Sequence, residues 1–149
     1  MVQRILFVCL GNICRSPTAE AVFDALSGSA FETDSAGTSG WHIGDPPYGP
    51  MQTAARARGY DLSKLRARQI VPGDFAAFDL IVVMDRQNLR DVEALRPNDN
   101  ETLVRLFTDF GGTGTDVPDP YYTRDFDQTL DIIEASAANL MKALKDQPQ

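Results

Sequence analysis

Cysteine is nearly absent from this sequence. Only Cys9 and Cys14 occur, and two cysteines so close together do not make the disulfide framework of a small secreted domain. They point to local chemistry or to nothing. Histidine and tryptophan occur once each, as His42 and Trp41. Positive charge is also scarce: 14 Lys and Arg stand against 21 Asp and Glu, a formal net charge of −7. That balance argues against nucleic acid and against anionic membrane surfaces as partners, because both are recognised with an excess of Lys and Arg. If the ligand is an anion, a local feature must attract it against the field of the whole chain. There is no apolar run of membrane-spanning length, and the first residues lead straight into a short apolar run without a signal peptide. The expectation is a soluble, cytoplasmic protein. No internal repeat, low-complexity block or linker interrupts the chain. Its 149 residues, 43% of them hydrophobic, are therefore expected to form a single domain over 1–149 with a real core.

Apolar runs of strand length alternate with helical periodicity. RILFVC, FETDSAG, FDLIVVMD and LVRLF read as strands, and FDLIVVMD is apolar on both faces. From Ser16 the pattern turns helical: Pro17 suits a first turn, and Ala19, Val22, Phe23 and Leu26 share one face. PMQTAARARG reads as a short helix stopped at Gly59. Asp85 can cap a helix with Leu89, Val92 and Leu95 inward. Phe126, Leu130, Ile133, Ala137, Leu140 and Leu144 recur by four and three in a C-terminal amphipathic helix. This alternation predicts an α/β fold, a parallel sheet with helices on both faces. Such sheets bind ligands beyond the carboxyl ends of their strands. Cys9 to Arg15, between the first strand and the first helix, occupy that place.

The chemistry of that stretch, CLGNICRS, follows from its position. A helix N-terminus offers unpaired N–H groups and a positive dipole end, and a loop entering it can wrap its amides around an anion. Gly11 permits the backbone conformations needed, and Asn12 is among the few other residues that tolerate positive φ. Arg15 adds a planar fork matching two oxygens of a phosphate. Cys9 would lie beneath the anion, in a field that favours thiolate. Ser16 could hold that thiolate or help sulfur depart. An inert strand-end cysteine is the bland alternative. A Walker-type phosphate loop is excluded by the missing Gly-Lys-Ser/Thr, and a dinucleotide fingerprint by the missing G-x-G-x-x-G.

CLGNICRS resembles the C-x5-R-S signature of the low-molecular-weight protein tyrosine phosphatases. The resemblance runs along the whole chain: DSAGTSGWHIGDPP is similar to the family's second strand and specificity loop, and VPDPYY to its general-acid loop. It implies a three-layer fold around a four-stranded parallel sheet of order 2-1-3-4. It also implies hydrolysis of phosphotyrosine in proteins, and of small aryl phosphates, through a cysteinyl-phosphate. By motif, Cys9 is the nucleophile, Arg15 the phosphoryl clamp and Asp119 the acid and then base. Leu10, Gly11, Asn12, Ile13, Cys14 and Ser16 shape the phosphate loop, while Trp41, Tyr121 and Tyr122 wall the cleft. Cys14 is implied as a redox partner able to pair with Cys9. No cofactor or metal is implied, since the loop itself supplies charge stabilisation. The partners implied are tyrosine-phosphorylated proteins, phosphate, and oxyanion inhibitors such as vanadate. The sequence leaves the oligomeric state open, with a monomer capable of weak self-association as the expectation.

Asp116 rivals Asp119 but lacks the D-P-Y-Y context, and a D-P pair alone is more often a plain turn. Adjacent Tyr121 and Tyr122 cannot both face one core from an extended segment, so one at least should be exposed. His42, a lone loop histidine, stays outside the core mechanism. Some family members support the loop asparagine with a histidine where this chain has Leu65, so the Asn12 network must close differently. Three other readings compete. A phosphoarginine phosphatase is disfavoured because apolar Ile13 stands where that branch carries a threonine. A thiol-dependent arsenate reductase would need cysteines beyond Cys14. A phosphate-binding module would have no use for Asp119.

Overall fold

The computed structural model describes residues 1–146. Four parallel strands form one sheet: β1 (Arg4–Cys9), β2 (Glu32–Gly37), β3 (Leu80–Val83) and β4 (Leu103–Leu106), in the order β2-β1-β3-β4. The register sets Phe7 beside Ser35 and Val82, and Cys9 beside Gly37. Successive strand side chains point to opposite faces, so β1 and β3 feed two cores. Ile5, Phe7, Leu80 and Val82 face one side, where α1 (Arg15–Ser27) and α6 (Phe126–Lys145) cover them with Phe23, Ile133 and Leu140. Leu6, Val8, Ile81 and Val83 face the other, against Phe75 of α3 (Asp74–Ala77) and Val92 of α4 (Arg86–Glu93). This is the expected three-layer α/β architecture. A third cluster joins Ile13 and Cys14 to Met51 and Ala55 of α2 (Gly49–Ala57) and to Leu130 of α6.

Local signals place the ends of most elements. Asp85 caps α4, its carboxylate accepting from the Asn88 N–H at 2.7 Å. Asp125 does the same for α6 through Gln128. The α2 helix ends at Ala57, and Gly59 then takes a left-handed φ of 93°. Leu26 departs from expectation. It is half exposed although it shares the α1 stripe, because this last turn borders a surface groove with Ala25, Tyr60 and Ala138 instead of a packed layer. Three short pieces lack a sequence signal: α3, a 3-10 turn over Phe107–Gly111, and α5 (Pro120–Thr123). Among the described residues, no helix is long and apolar enough to cross a membrane.

Candidate active site

The site begins where β1 ends. Cys9 is the last residue of β1 and Arg15 the first of α1, so five loop residues connect strand to helix. The cap position of α1 is taken by Cys14, which makes no side-chain cap bond, and the first turn carries no acidic residue. The helix therefore keeps its N-terminal amides and its positive dipole end for an external anion. Asn12 adopts φ 57°. That turn costs on the order of 1 kcal/mol for a non-glycine residue and must be held by its surroundings. At the facing strand end, a Cβ on Gly37 would come within 2.7 Å of the Leu10 carbonyl oxygen. Only glycine lets β2 approach the loop this closely.

The buried Cys9 sulfur lies 3.0 Å from Ser16 Oγ and accepts from the Asn12 N–H at 3.3 Å. Ser16 Oγ accepts in turn from Asn12 Nδ2 at 2.7 Å. Asn12 and Ser16 thus sit beneath the loop as its support. Asn12 Oδ1 accepts from the Arg68 N–H at 3.0 Å. This bond closes the network that Leu65 leaves unfilled, while Leu65 itself packs against the third apolar cluster.

Arg15 is buried, yet it is a cation with partners. Nη1 donates to Asp85 at 2.6 Å and to the Val117 carbonyl at 3.1 Å, and Nη2 reaches Asp119 at 3.4 Å. Burial by itself lowers the pKa of the guanidinium, but the Cys9 charge and the Asp85 bond outweigh it and hold the group above its ordinary value. Removing Asp85 would take away the shortest ion pair of this buried charge and leave it only the Val117 carbonyl and the longer contact to Asp119. The loss is therefore expected to fall below the roughly 3–5 kcal/mol of a buried charge stripped of every partner. Arg15 Nε is buried with no hydrogen-bond partner. It is a donor without an acceptor in a side chain that lines a cleft.

That cleft, of about 250 Å³, opens over the loop. Cys9, Leu10, Gly11, Ile13, Cys14 and Arg15 form its floor and lower walls. Asp119 enters from one side, capping α5 by accepting from the Tyr121 N–H at 3.1 Å. Tyr121, Tyr122 and Trp41 form the mouth. The D-P-Y-Y segment is a helical turn, not the extended segment the sequence suggested, and a turn on the surface exposes both tyrosines, by 44% and 71%. Arg124 pins this turn: its guanidinium lies over the rings of Tyr48 and Phe126 and donates to the Tyr48 hydroxyl at 2.8 Å. Asp116 lies elsewhere, paired with Arg86 at the start of α4. Burial first, then the Cys9 and Asp119 charges, push the Cys14 thiol pKa up strongly, so Cys14 stays a neutral thiol beside Cys9.

Some residues of the site carried no sequence signal. His42 lines the cleft, with Nδ1 3.2 Å from Asp45 Oδ2. Asp85 reads only as a helix cap in sequence, although its place after β3, at the carboxyl edge of the sheet, was a usable hint. Arg68 offered none, because its contribution to the loop is a backbone amide.

Comparison with known proteins places the chain in a family. Residues 4–149 match the family described as low molecular weight phosphotyrosine protein phosphatase. The chain is 36% identical to the low molecular weight protein-tyrosine-phosphatase YfkJ of Bacillus subtilis, over 97% of each chain. The crystal structure of YfkJ superposes with a TM-score of 0.93, covering 100% of this chain and 98% of that one at 35% identity. A Streptomyces coelicolor low molecular weight protein-tyrosine-phosphatase is 41% identical over 99% of this chain and 96% of its own. Vibrio vulnificus Wzb, solved in complex with benzylphosphonate, superposes with a TM-score of 0.87 at 28% identity, covering 96% of this chain and 99% of its own.

Proposed function

Because the chain belongs to the low molecular weight phosphotyrosine protein phosphatase family, and is thus a protein tyrosine phosphatase, we propose that Cys9, Arg15 and Asp119 carry its reaction. The observation that bears most weight is the buried, unpartnered Nε of Arg15. It lies in a cleft whose floor is a sulfur and a helix N-terminus free of any side-chain cap. A phosphoryl group suits both: its oxygens accept from the guanidinium fork and from amides of the loop between residues 10 and 15, the Asn12 N–H excepted because it donates to the sulfur, while phosphorus lies over the sulfur.

The reaction has two steps. The Cys9 thiolate attacks phosphorus in line, so that the S–P bond forms as the bond from phosphorus to the tyrosine oxygen breaks. Asp119 gives its proton to that oxygen, since a phenolate is a poor leaving group. Water then attacks phosphorus, Asp119 takes the water's proton, and the S–P bond breaks with its electrons returning to sulfur. Ser16 Oγ and the Asn12 N–H stabilise the thiolate at both ends of the cycle. The loop amides and Arg15 meet the spreading charge of the transferring group.

The mouth fits a flat ring. Trp41 on one side and Tyr121 and Tyr122 on the other offer apolar faces to a phenyl group. Vibrio vulnificus Wzb is in complex with benzylphosphonate, a phenyl ring joined through one methylene to a tetrahedral phosphorus acid, and we carry that ligand class over to this cleft. Vanadate and inorganic phosphate are the matching oxyanion inhibitors. Ile13 on the cleft wall has no hydroxyl to activate water, which favours phosphotyrosine over phosphoarginine. The reading is completed by a cytoplasmic, single-domain protein that works as a monomer capable of weak self-association. Its acidic body gives nucleic acid and anionic membranes no purchase.

Phosphate release from a phosphotyrosine peptide, with EDTA present, tests the assignment. The wild-type protein is expected to turn over, and Cys9→Ser to lose roughly a thousandfold or more while keeping its fold by circular dichroism. A Cys9→Ser protein retaining even half the activity removes Cys9 from the nucleophile role.

A further inference from the structure

We propose that Arg68 is a positioning residue for the reaction: clamped between Asp34 and Asp74, it holds Asn12 so that a one-way chain of hydrogen bonds ends on the Cys9 sulfur. The inference rests on the reading of Cys9 as nucleophile.

The direction of the chain follows from donor chemistry. The Arg68 backbone N–H can only donate, so the Asn12 atom 3.0 Å away must be the carbonyl Oδ1. The other end of the same amide, Nδ2, must then donate to Ser16 Oγ at 2.7 Å. Having accepted there, the Ser16 hydroxyl has one proton to give. The sulfur at 3.0 Å is a nearer acceptor than the Ala36 carbonyl at 3.4 Å. The Asn12 N–H adds a second donor at 3.3 Å. Two protons therefore aim at Cys9, and both depend on Asn12 staying at φ 57°. If the amide turned over, the carbonyl would face Ser16, and the hydroxyl would have reason to leave the sulfur.

What keeps Asn12 in place is an amide 56 residues further along the chain, in a segment outside any strand or helix. Its fixity comes from the rest of Arg68. The Arg68 carbonyl accepts from the Gly37 N–H at 2.8 Å, and the Ile70 N–H donates to the Gly37 carbonyl at 2.8 Å. These bonds lay the segment along the end of β2. The side chain supplies the second anchor. Its two terminal nitrogens meet both oxygens of Asp74 at 3.0 and 3.1 Å, and Nε reaches Asp34 at 3.1 Å. Asp74 is itself buried and accepts from the Val71 N–H at 2.9 Å. Asp34 belongs to β2, so the guanidinium ties the segment to the sheet and to the start of α3 at once. A bidentate fork restricts rotation as well as distance, which is what positioning a single amide requires.

Arg68→Met keeps the aliphatic stem and the backbone N–H while removing the fork. It is expected to lower kcat about tenfold with KM within about twofold, as slight misplacement of reacting groups does. It should also slow alkylation of Cys9 by iodoacetamide at mildly acidic pH. In an Asn12→Ala background the same substitution should add no further loss, because its effect passes through Asn12. A folded Arg68→Met protein with wild-type kcat and alkylation rate overturns the proposal. So does an undiminished loss in the Asn12→Ala background. Should Arg68→Met fail to fold, Asp34→Asn removes only the more exposed anchor and must shift kcat and alkylation in the same direction. Wild-type values there are equally contrary. Cys9→Ser, assayed alongside, separates the two readings: its retained turnover would sink the nucleophile assignment, whereas an inactive Cys9→Ser beside unaffected Arg68 variants would sink the brace alone.

Discussion

The floor and the mouth of the cleft are built on opposite principles. On the floor, Cys9, Asn12, Arg15 and Ser16 are all buried, and nearly every polar atom is committed to a partner, Arg15 Nε being the exception. At the mouth, Trp41 is 75% exposed and Tyr122 71%; Tyr122 meets Tyr121 edge-on, and Tyr121 leans on Tyr48, the ring that Arg124 covers. Chemistry needs atoms within tenths of an ångström, so its residues are over-determined by their surroundings. Recognition of a ring needs area, which a loosely held aromatic can supply. The difference teaches where variation is tolerated: the mouth can change which phosphoprotein enters without disturbing how phosphorus is attacked.

Substitutions at each level sharpen this contrast. The largest effect after loss of Cys9 is expected at Asp119, which joins floor to mouth through Arg15 and Tyr121. Asp119→Asn should lower kcat for phosphotyrosine by about a hundredfold or more, within the range of general acid–base catalysis, and much less for aryl phosphates whose leaving group needs no proton. Equal losses across a leaving-group series would remove Asp119 from the acid role. A smaller effect is expected at Trp41. Trp41→Ala removes an exposed ring and should raise KM several-fold, by about 1 kcal/mol of lost apolar contact, with kcat nearly unchanged. A kcat loss as large as that of Asp119→Asn would show that the mouth is not separable from the floor. The smallest lasting effect concerns Cys14. Peroxide should convert Cys9 to a sulfenic acid, which the neighbouring Cys14 thiol then displaces as water, giving a disulfide that a thiol reductant opens with full recovery of activity. Peptide mass spectrometry that finds Cys9 oxidised and never linked to Cys14 contradicts this pairing.

The sequence made the floor legible and the mouth less so. Cys9, Gly11, Asn12, Arg15 and Ser16 lie in one continuous stretch whose position between strand and helix states its purpose. The alternating apolar runs were enough for a parallel α/β sheet, since β1 and β3 are apolar on both faces. The helical turn at Pro120–Thr123 was not legible, because four residues carry no periodicity. Nor was the exposure of Leu26, because a helical stripe does not reveal how far its covering layer extends. Asp85 and Arg68 were hidden for a different reason. They act across 70 and 56 residues of chain, and such separations leave no local pattern that names the partner, even where, as at Asp85, the place after β3 marks the edge of the sheet.

The central claim is that phosphate passes through the Cys9 sulfur. Its most direct test is rapid acid quenching of the Asp119→Asn protein during turnover of an aryl phosphate with a good leaving group, followed by peptide mapping of the trapped phosphoryl group. The account predicts phosphate bonded to Cys9, formed in a burst and decaying as inorganic phosphate appears. Phosphate released at the same rate with no sulfur-bound intermediate at any time would contradict it and point to direct attack by water.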